Sequence, residues 1–232
     1  AKDLQWIFTN HRIENKANAH VAEGLMQFAQ AIGASPLETI TWEFSPPLLA
    51  KDWLANIQAL NKKYIIISPS ASHPNRNWLS HSYVKIADYL SNLGYQVVIT
   101  GSSNPKEIAL AKEICLESKF PLVDLSGQTT LPQLSALIEG AELLVSPDSG
   151  PAHISTLVKT NVVGLYAVSN PERTGPYHAR HLCVSVYQQL IEQKFNTPLE
   201  NIKWGTRLKG DDVMANIAVD QVIASIDQHL SI

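Results

Sequence analysis

A chain of 232 residues with 45% hydrophobic and 17% charged side chains has the composition of a folded globular protein, long enough for one large domain or one domain with part of a second. Its 18 Lys and Arg against 21 Asp and Glu leave a formal charge of −3, which excludes a global basic field for a nucleic-acid backbone, so any anion site is local. Cys115 and Cys183 lie in apolar runs without CxxC spacing, which excludes a disulfide framework or a structural zinc. No apolar run is long enough to span a bilayer and no secretory leader opens the chain, so a cytoplasmic protein is expected.

The first 60 residues predict a helix from about Asn18 to Ile32, an extended piece at Thr41 to Phe44, and a second helix running to Leu60 after Pro46-Pro47. Pro46-Pro47 is the expected interdomain linker, dividing the chain into residues 1–47 and residues 48–232. From Tyr64 onward, short β-rich runs alternate with amphipathic stretches, the pattern of βαβ units on a parallel sheet. Strands are expected at Tyr64–Ser68, Gln96–Thr100, Leu122–Leu125, Leu143–Val145, Asn161–Tyr166 and near His181–Val186. Helices are expected from Ser82 to a stop at Gly94, from Pro105 in the first turn through Cys115, from a Thr130 cap through Ile138, briefly after Pro151, and at the tail around Val222 and Leu230. The fold class is α/β: a Rossmann-like parallel sheet with helices on both faces.

In such a sheet, ligands bind beyond the carboxyl ends of the strands, so chemistry is sought in the loops there. The loop Pro69-Ser70-Ala71-Ser72-His73-Pro74-Asn75-Arg76-Asn77-Trp78 offers hydroxyls and a guanidinium suited to phosphate oxygens; the plain alternative is a solvated Arg76 over a packed Trp78. The loop Ser146-Pro147-Asp148-Ser149-Gly150-Pro151-Ala152-His153 runs from a strand into a helix start, where free backbone N–H groups and a glycine make an anion site. Asp148 is either a helix cap or a functional carboxylate, and His153 either a buried hydrogen-bonded ring or a donor to a diphosphate. Ser149 is no hydrolase nucleophile, since Pro147 stands where a G-x-S-x-G elbow needs glycine. Neither GxGxxG after the first strand nor GxxxxGK[ST] occurs, which sets aside dehydrogenase and P-loop readings. The loop Ser169 to Tyr177 reads as a surface turn whose Arg173 adds a cation to the same rim.

From Tyr64 to the C-terminus these loops resemble glycosyltransferase family 9, the heptosyltransferases. Asp148-Ser149-Gly150-Pro151-Ala152-His153 is similar to that family's D-[ST]-G-x-x-H motif, followed at familiar spacing by Gly164-Leu165-Tyr166, Asn170-Pro171 and Arg173-Thr174-Gly175-Pro176-Tyr177. Leu125-Ser126-Gly127-Gln128-Thr129-Thr130-Leu131 resembles the segment near the nucleotide base. The resemblance implies the C-terminal half of a GT-B fold and a donor site containing Ser70, Arg76, Glu107, Gly127, Asp148, Ser149, Gly150 and His153. By it, Arg76, Ser149, Gly150 and His153 contact the diphosphate, Asp148 positions the donor, and Glu107 holds the ribose. It further implies inverting, metal-independent transfer of heptose from ADP-heptose to the lipopolysaccharide core, with no cofactor and peripheral association with the inner face of the inner membrane. The chain departs from the family pattern at Arg76, where Lys is commoner, and at Pro69-Ser70, where Pro-Gly is usual. The catalytic base is expected in an N-terminal acceptor-binding domain, of which residues 1–47 would be the end and the crossover. Two other readings share these residues: a nucleotide-sugar-binding module without catalysis, and a GT-B nucleotide-sugar epimerase.

Overall fold

The computed structural model describes residues 7–13, 16–210 and 212–231, so residues 1–6 and 14–15 of the expected N-terminal segment lie outside the described residues. The chain divides into two compact units, residues 1–41 and residues 42–232.

The first unit contains helix α1 (Val21–Ala31). His20 caps it, its Nδ1 accepting from the Ala22 N–H at 3.1 Å. Helix α1 has no buried residue; Val21, Leu25 and Phe28, and Ile32 just beyond it, stand on one face and are exposed.

The second unit begins with helix α2 (Leu48–Ala55), whose N-cap is Pro47. It stops short of the expected Leu60. The Asn56 side chain donates to the Asp52 carbonyl at 2.7 Å, tying off the last turn, and single turns carry the chain on to Leu60. Residues Thr41 to Phe44 join no strand.

Six strands follow: β1 (Tyr64–Ile67), β2 (Gln96–Ile99), β3 (Val123–Asp124), β4 (Leu143–Pro147), β5 (Val162–Tyr166) and β6 (Val184–Ser185). They form one sheet in the order β3-β2-β1-β4-β5-β6, and every pairing is parallel. Parallel strands covered on both sides have no polar face, and β1, β4 and β5 are buried along their whole length.

Alternation along the strands sorts the core into two layers. Ile65, Ile67, Val97, Ile99, Leu143, Val145, Val163 and Leu165 face helices α3 (Ser80–Asn92), α4 (Pro105–Glu117) and the C-terminal helix, which supply Tyr83, Ile86, Leu90, Ala111, Ile114, Val222 and Ile226. Tyr64, Ile66, Val98, Leu144 and Val162 face α2, α5 (Leu131–Glu139) and α6 (Gly150–Leu157), through Trp53, Leu54, Leu137, Ile138 and Ala152. The connections from β1 to β2, β2 to β3, β3 to β4 and β4 to β5 each carry one of these helices.

Helix boundaries follow local chemistry. Asn104 caps α4 by accepting from Lys106 N–H, with Pro105 in the first turn, and Gly94 takes the positive φ of 89° that ends α3. Thr130 and Gln133 form a reciprocal capping box on α5. After β5, helix α7 (Pro171–Thr174) interrupts what reads from sequence as a long loop, its Glu172 N–H donating to the Asn170 side chain. Helix α8 (Tyr187–Phe195) was not expected. It buries Tyr187 and Ile191 with Leu208 in a small separate cluster and ends at Asn196 with φ 47°. The last helix, α9 (Val219–Leu230), matches the expected tail.

Candidate functional site

The strand order reverses between β1 and β4, because the chain leaves β1 toward one edge and returns at β4 to build the other. The loops leaving those two strands diverge and open a crevice at their carboxyl ends, which is where open α/β sheets bind ligands. A cleft of about 530 Å³ lies there. Its floor comes from Ser68 and Ser70 after β1 and Thr100 and Gly101 after β2; one wall is Ser102, Ser103, Glu107 and Gly127, another Thr129 to Leu131 with Leu134, and a third Ser149 to Pro151.

Five of the eight residues expected at a donor site therefore line one cavity: Ser70, Glu107, Gly127, Ser149 and Gly150. Gly150 opens α6, and a β-carbon there would meet nothing within 4 Å, so a ligand can approach the first N–H groups of the helix. Ser149 is the N-cap without a side-chain capping bond; its Oγ instead shares a 2.8 Å hydrogen bond with Ser146 Oγ. Glu107 Oε2 accepts from the Ser102 N–H at 2.8 Å, fixing the turn after β2. Gly127 adopts φ 70°, and a β-carbon there would press on Ile108 Cδ1 at 3.1 Å, so its bare backbone shapes the wall. Ser70 Oγ and Thr100 Oγ1 are buried without a hydrogen-bond partner. Thr100 escapes a reading of loops alone because the sequence puts it at the end of the expected strand Gln96–Thr100, and only its place in the cavity lining marks it.

The other three expected residues, Arg76, Asp148 and His153, gather in an adjoining cluster and do not line the cleft. Arg76, in a 3-10 turn at Pro74–Arg76, is buried, contrary to a solvated surface Arg. Its Nη1 donates to the Asp148 carbonyl at 3.1 Å and lies 3.4 Å from Asp148 Oδ2, joining the loop after β1 to the loop after β4. Asp148 is buried and caps no helix. Its Oδ2 accepts from Ser169 Oγ at 2.6 Å, with Thr174 Oγ1 at 3.5 Å, and its Oδ1 faces His153 Nε2 at 3.7 Å. Burial, the largest single influence, would raise the Asp148 pKa; His153, Ser169 and Arg76 together outweigh it and hold the carboxyl below its ordinary value. His153 is half exposed, so it is not a sequestered core histidine.

Arg173 does not line the cleft, and its side chain packs on Gly205, where a β-carbon would stand 2.8 Å from Nε. Ser169 and Thr174, read from sequence as turn residues, are the ones that reach Asp148. The Trp78 ring is structural, buried with Nε1 donating to the Ile217 carbonyl at 3.1 Å and its edge against Tyr83. Both cysteines are free thiols, and burial pushes Cys115 up to about 11 and Cys183 up to about 12, which disfavours the thiolate form.

Comparison with known proteins gives a consistent result. Residues 1–203 match the family described as glycosyltransferase family 9 (heptosyltransferase). The chain is 34% identical over 226 residues to the lipopolysaccharide core heptosyltransferase OpsX of Haemophilus influenzae, covering 97% of this chain and 65% of that protein. It is 32% identical over 155 residues to lipopolysaccharide heptosyltransferase 3 of Escherichia coli, covering 65% of this chain and 45% of that protein. The chain thus spans about two thirds or less of the length of these relatives. Among solved structures, a family 9 glycosyltransferase from Veillonella parvula superposes with a TM-score of 0.73 at 19% identity, over 95% of this chain and 62% of that one. The E. coli heptosyltransferase WaaC with ADP superposes with a TM-score of 0.66 at 16% identity, over 96% of this chain and 61% of that one. At these identities the structural likeness establishes the shared fold.

Proposed function

The chain belongs to glycosyltransferase family 9, the heptosyltransferases, and from that premise we propose that residues 48–232 bind the nucleotide-sugar donor of a heptosyl transfer, with ADP-heptose as donor and the lipopolysaccharide inner core as acceptor. The observation that carries this is the cleft at the β1/β4 crossover, where Ser149 and Gly150 present the start of α6 to a hydroxyl-lined cavity. A diphosphate belongs against those N–H groups, since a helix N-terminus carries partial positive charge and unpaired donors. The nucleoside then extends over Gly101 and Gly127, with Glu107 within reach of ribose hydroxyls.

Transfer in this reading inverts the anomeric centre. The acceptor oxygen forms a bond to the anomeric carbon as the bond to the diphosphate oxygen breaks, and the hydroxyl proton passes to a base that is not assigned among these residues. Negative charge accumulates on the leaving diphosphate, where the α6 N-terminus and the neighbouring Arg76 guanidinium stabilise it, the task a metal ion performs in other transferases. We place the protein in the cytoplasm, where nucleotide sugars are made; among the described residues no helix is long and apolar enough to cross a membrane.

Calorimetric titration with ADP-heptose, ADP and a UDP-sugar tests the reading. ADP compounds are expected to bind and the UDP-sugar to bind more weakly, and Arg76→Ala to weaken ADP by about tenfold, the cost of one charge-assisted hydrogen bond. Arg76→Lys, which keeps the charge, is expected to retain most of the affinity. A folded chain that binds none of these ligands would overturn the donor site, and a preference for the UDP-sugar would overturn the donor assignment.

A further inference from the structure

Arg76 stands beside the cleft rather than in its lining, and its guanidinium is held across loops by Asp148, on the loop after β4. Asp148 is in turn held from a third loop. Ser169 Oγ donates to the same carboxylate oxygen that faces Arg76, at 2.6 Å, and both groups are buried. Thr174 Oγ1 lies between that oxygen, at 3.5 Å, and the Asn170 carbonyl, at 3.3 Å. The backbone of Thr174 is pinned as well, its carbonyl accepting from Tyr166 OH at 3.2 Å. A carboxylate is otherwise free to rotate about its Cβ–Cγ bond, and the Ser169 hydroxyl, donating to the oxygen beside Arg76 Nη1, restrains that rotation.

We propose that Ser169 is a positioning residue for donor binding, acting through Asp148 to fix the Arg76 guanidinium beside the diphosphate subsite, with Thr174 as an auxiliary donor. The proposal rests on the donor-site reading above. Ser169 itself lines no part of the cleft, so its effect on ligand passes through the pair it orients. Fixing the guanidinium in advance spares the ligand the entropy of ordering a long side chain, which is how a residue without ligand contact raises affinity.

A double-mutant cycle on this chain, read by calorimetry with ADP, tests it. Ser169→Ala is expected to weaken ADP by about fivefold in the wild-type background and to have little effect in the Arg76→Gln background. Ser169→Thr, which keeps a hydroxyl at the same place, is expected to restore most of the affinity. The ADP affinity of Ser169→Ala is further expected to fall at a higher pH than that of the wild type as the solution is acidified, because Asp148 loses a bond that favours its ionised form. An equal loss from Ser169→Ala in both backgrounds would show a general packing role and overturn the proposal, as would unaltered binding by Ser169→Ala. If Arg76→Gln does not fold, failure of Ser169→Thr to rescue, or an unchanged pH profile, overturns it instead. Absence of ADP binding by the folded wild type would overturn the underlying donor-site reading, and this proposal with it, which separates the two failures.

Discussion

At the scale of single residues, Asp148 concentrates the energetics of the site. A buried carboxylate is tolerated only where charge and hydrogen bonds replace water, and here Arg76, Ser169 and His153 do so. The folded protein holds its pKa below the ordinary value of about 3.9 found in an unfolded chain. The stabilisation is therefore fully present above that unfolded value and is lost as pH falls through the lower, folded one. At neutral pH, Asp148→Asn is expected to cost about 3 kcal/mol, because it leaves Arg76 buried beside a neutral amide. Denaturant titrations of the two proteins from neutral pH down to about pH 2 should show this difference shrinking in acid. A difference that stays constant would mean that the carboxylate charge contributes nothing.

At the scale of elements, the site depends on where helices begin. Helix α5 starts on the cleft wall with the Thr130–Gln133 capping box, so one side chain both ends the loop from β3 and lines the cavity. Thr130→Ala is expected to destabilise the protein by about 1 kcal/mol through loss of the cap. Thr130→Ser, which keeps the oxygen, should lie within a few tenths of a kcal/mol of wild type, and equilibrium unfolding of the pair distinguishes capping from mere side-chain volume. Helix α6 begins without a side-chain cap, the opposite arrangement, leaving its first N–H groups for a ligand. Of the three helix starts on the cleft, α4 is capped by Asn104 and α5 by its own box, and only α6 is open.

At the scale of the whole molecule, stability is unevenly distributed. Every residue of β1 and β4 is buried between two helical layers, whereas α1 buries none of its residues and at 11 residues is too short to persist on its own in water. Native-state hydrogen exchange is expected to be slowest in β1 and β4 and faster by orders of magnitude in α1; comparable protection in α1 would refute this distribution. The same contrast shows what was legible in advance. Short β-rich apolar runs alternating with amphipathic stretches identified all six strands, and β1 to β5 fell within a residue or two of their expected limits, because those signals are local. Helix α8 was missed because it buries only Tyr187 and Ile191 and contacts a small side cluster, so its apolar stripe is weak. Residue types in the loops after β1 and β4 marked Ser70, Arg76, Asp148, Ser149, Gly150 and His153 as one set of interest, but spacing along the chain carries no information on which of them meet. Tertiary structure alone decided that Ser149 and Gly150 open into the cleft while Arg76 turns aside to Asp148, that Arg173 packs at Gly205, and that Ser169 reaches a carboxylate 21 positions away. The amino-acid sequence by itself determined the layered parallel sheet, since alternation and capping act over a few residues, whereas the pairing of side chains from three separate loops is set by the strand order that brings those loops together.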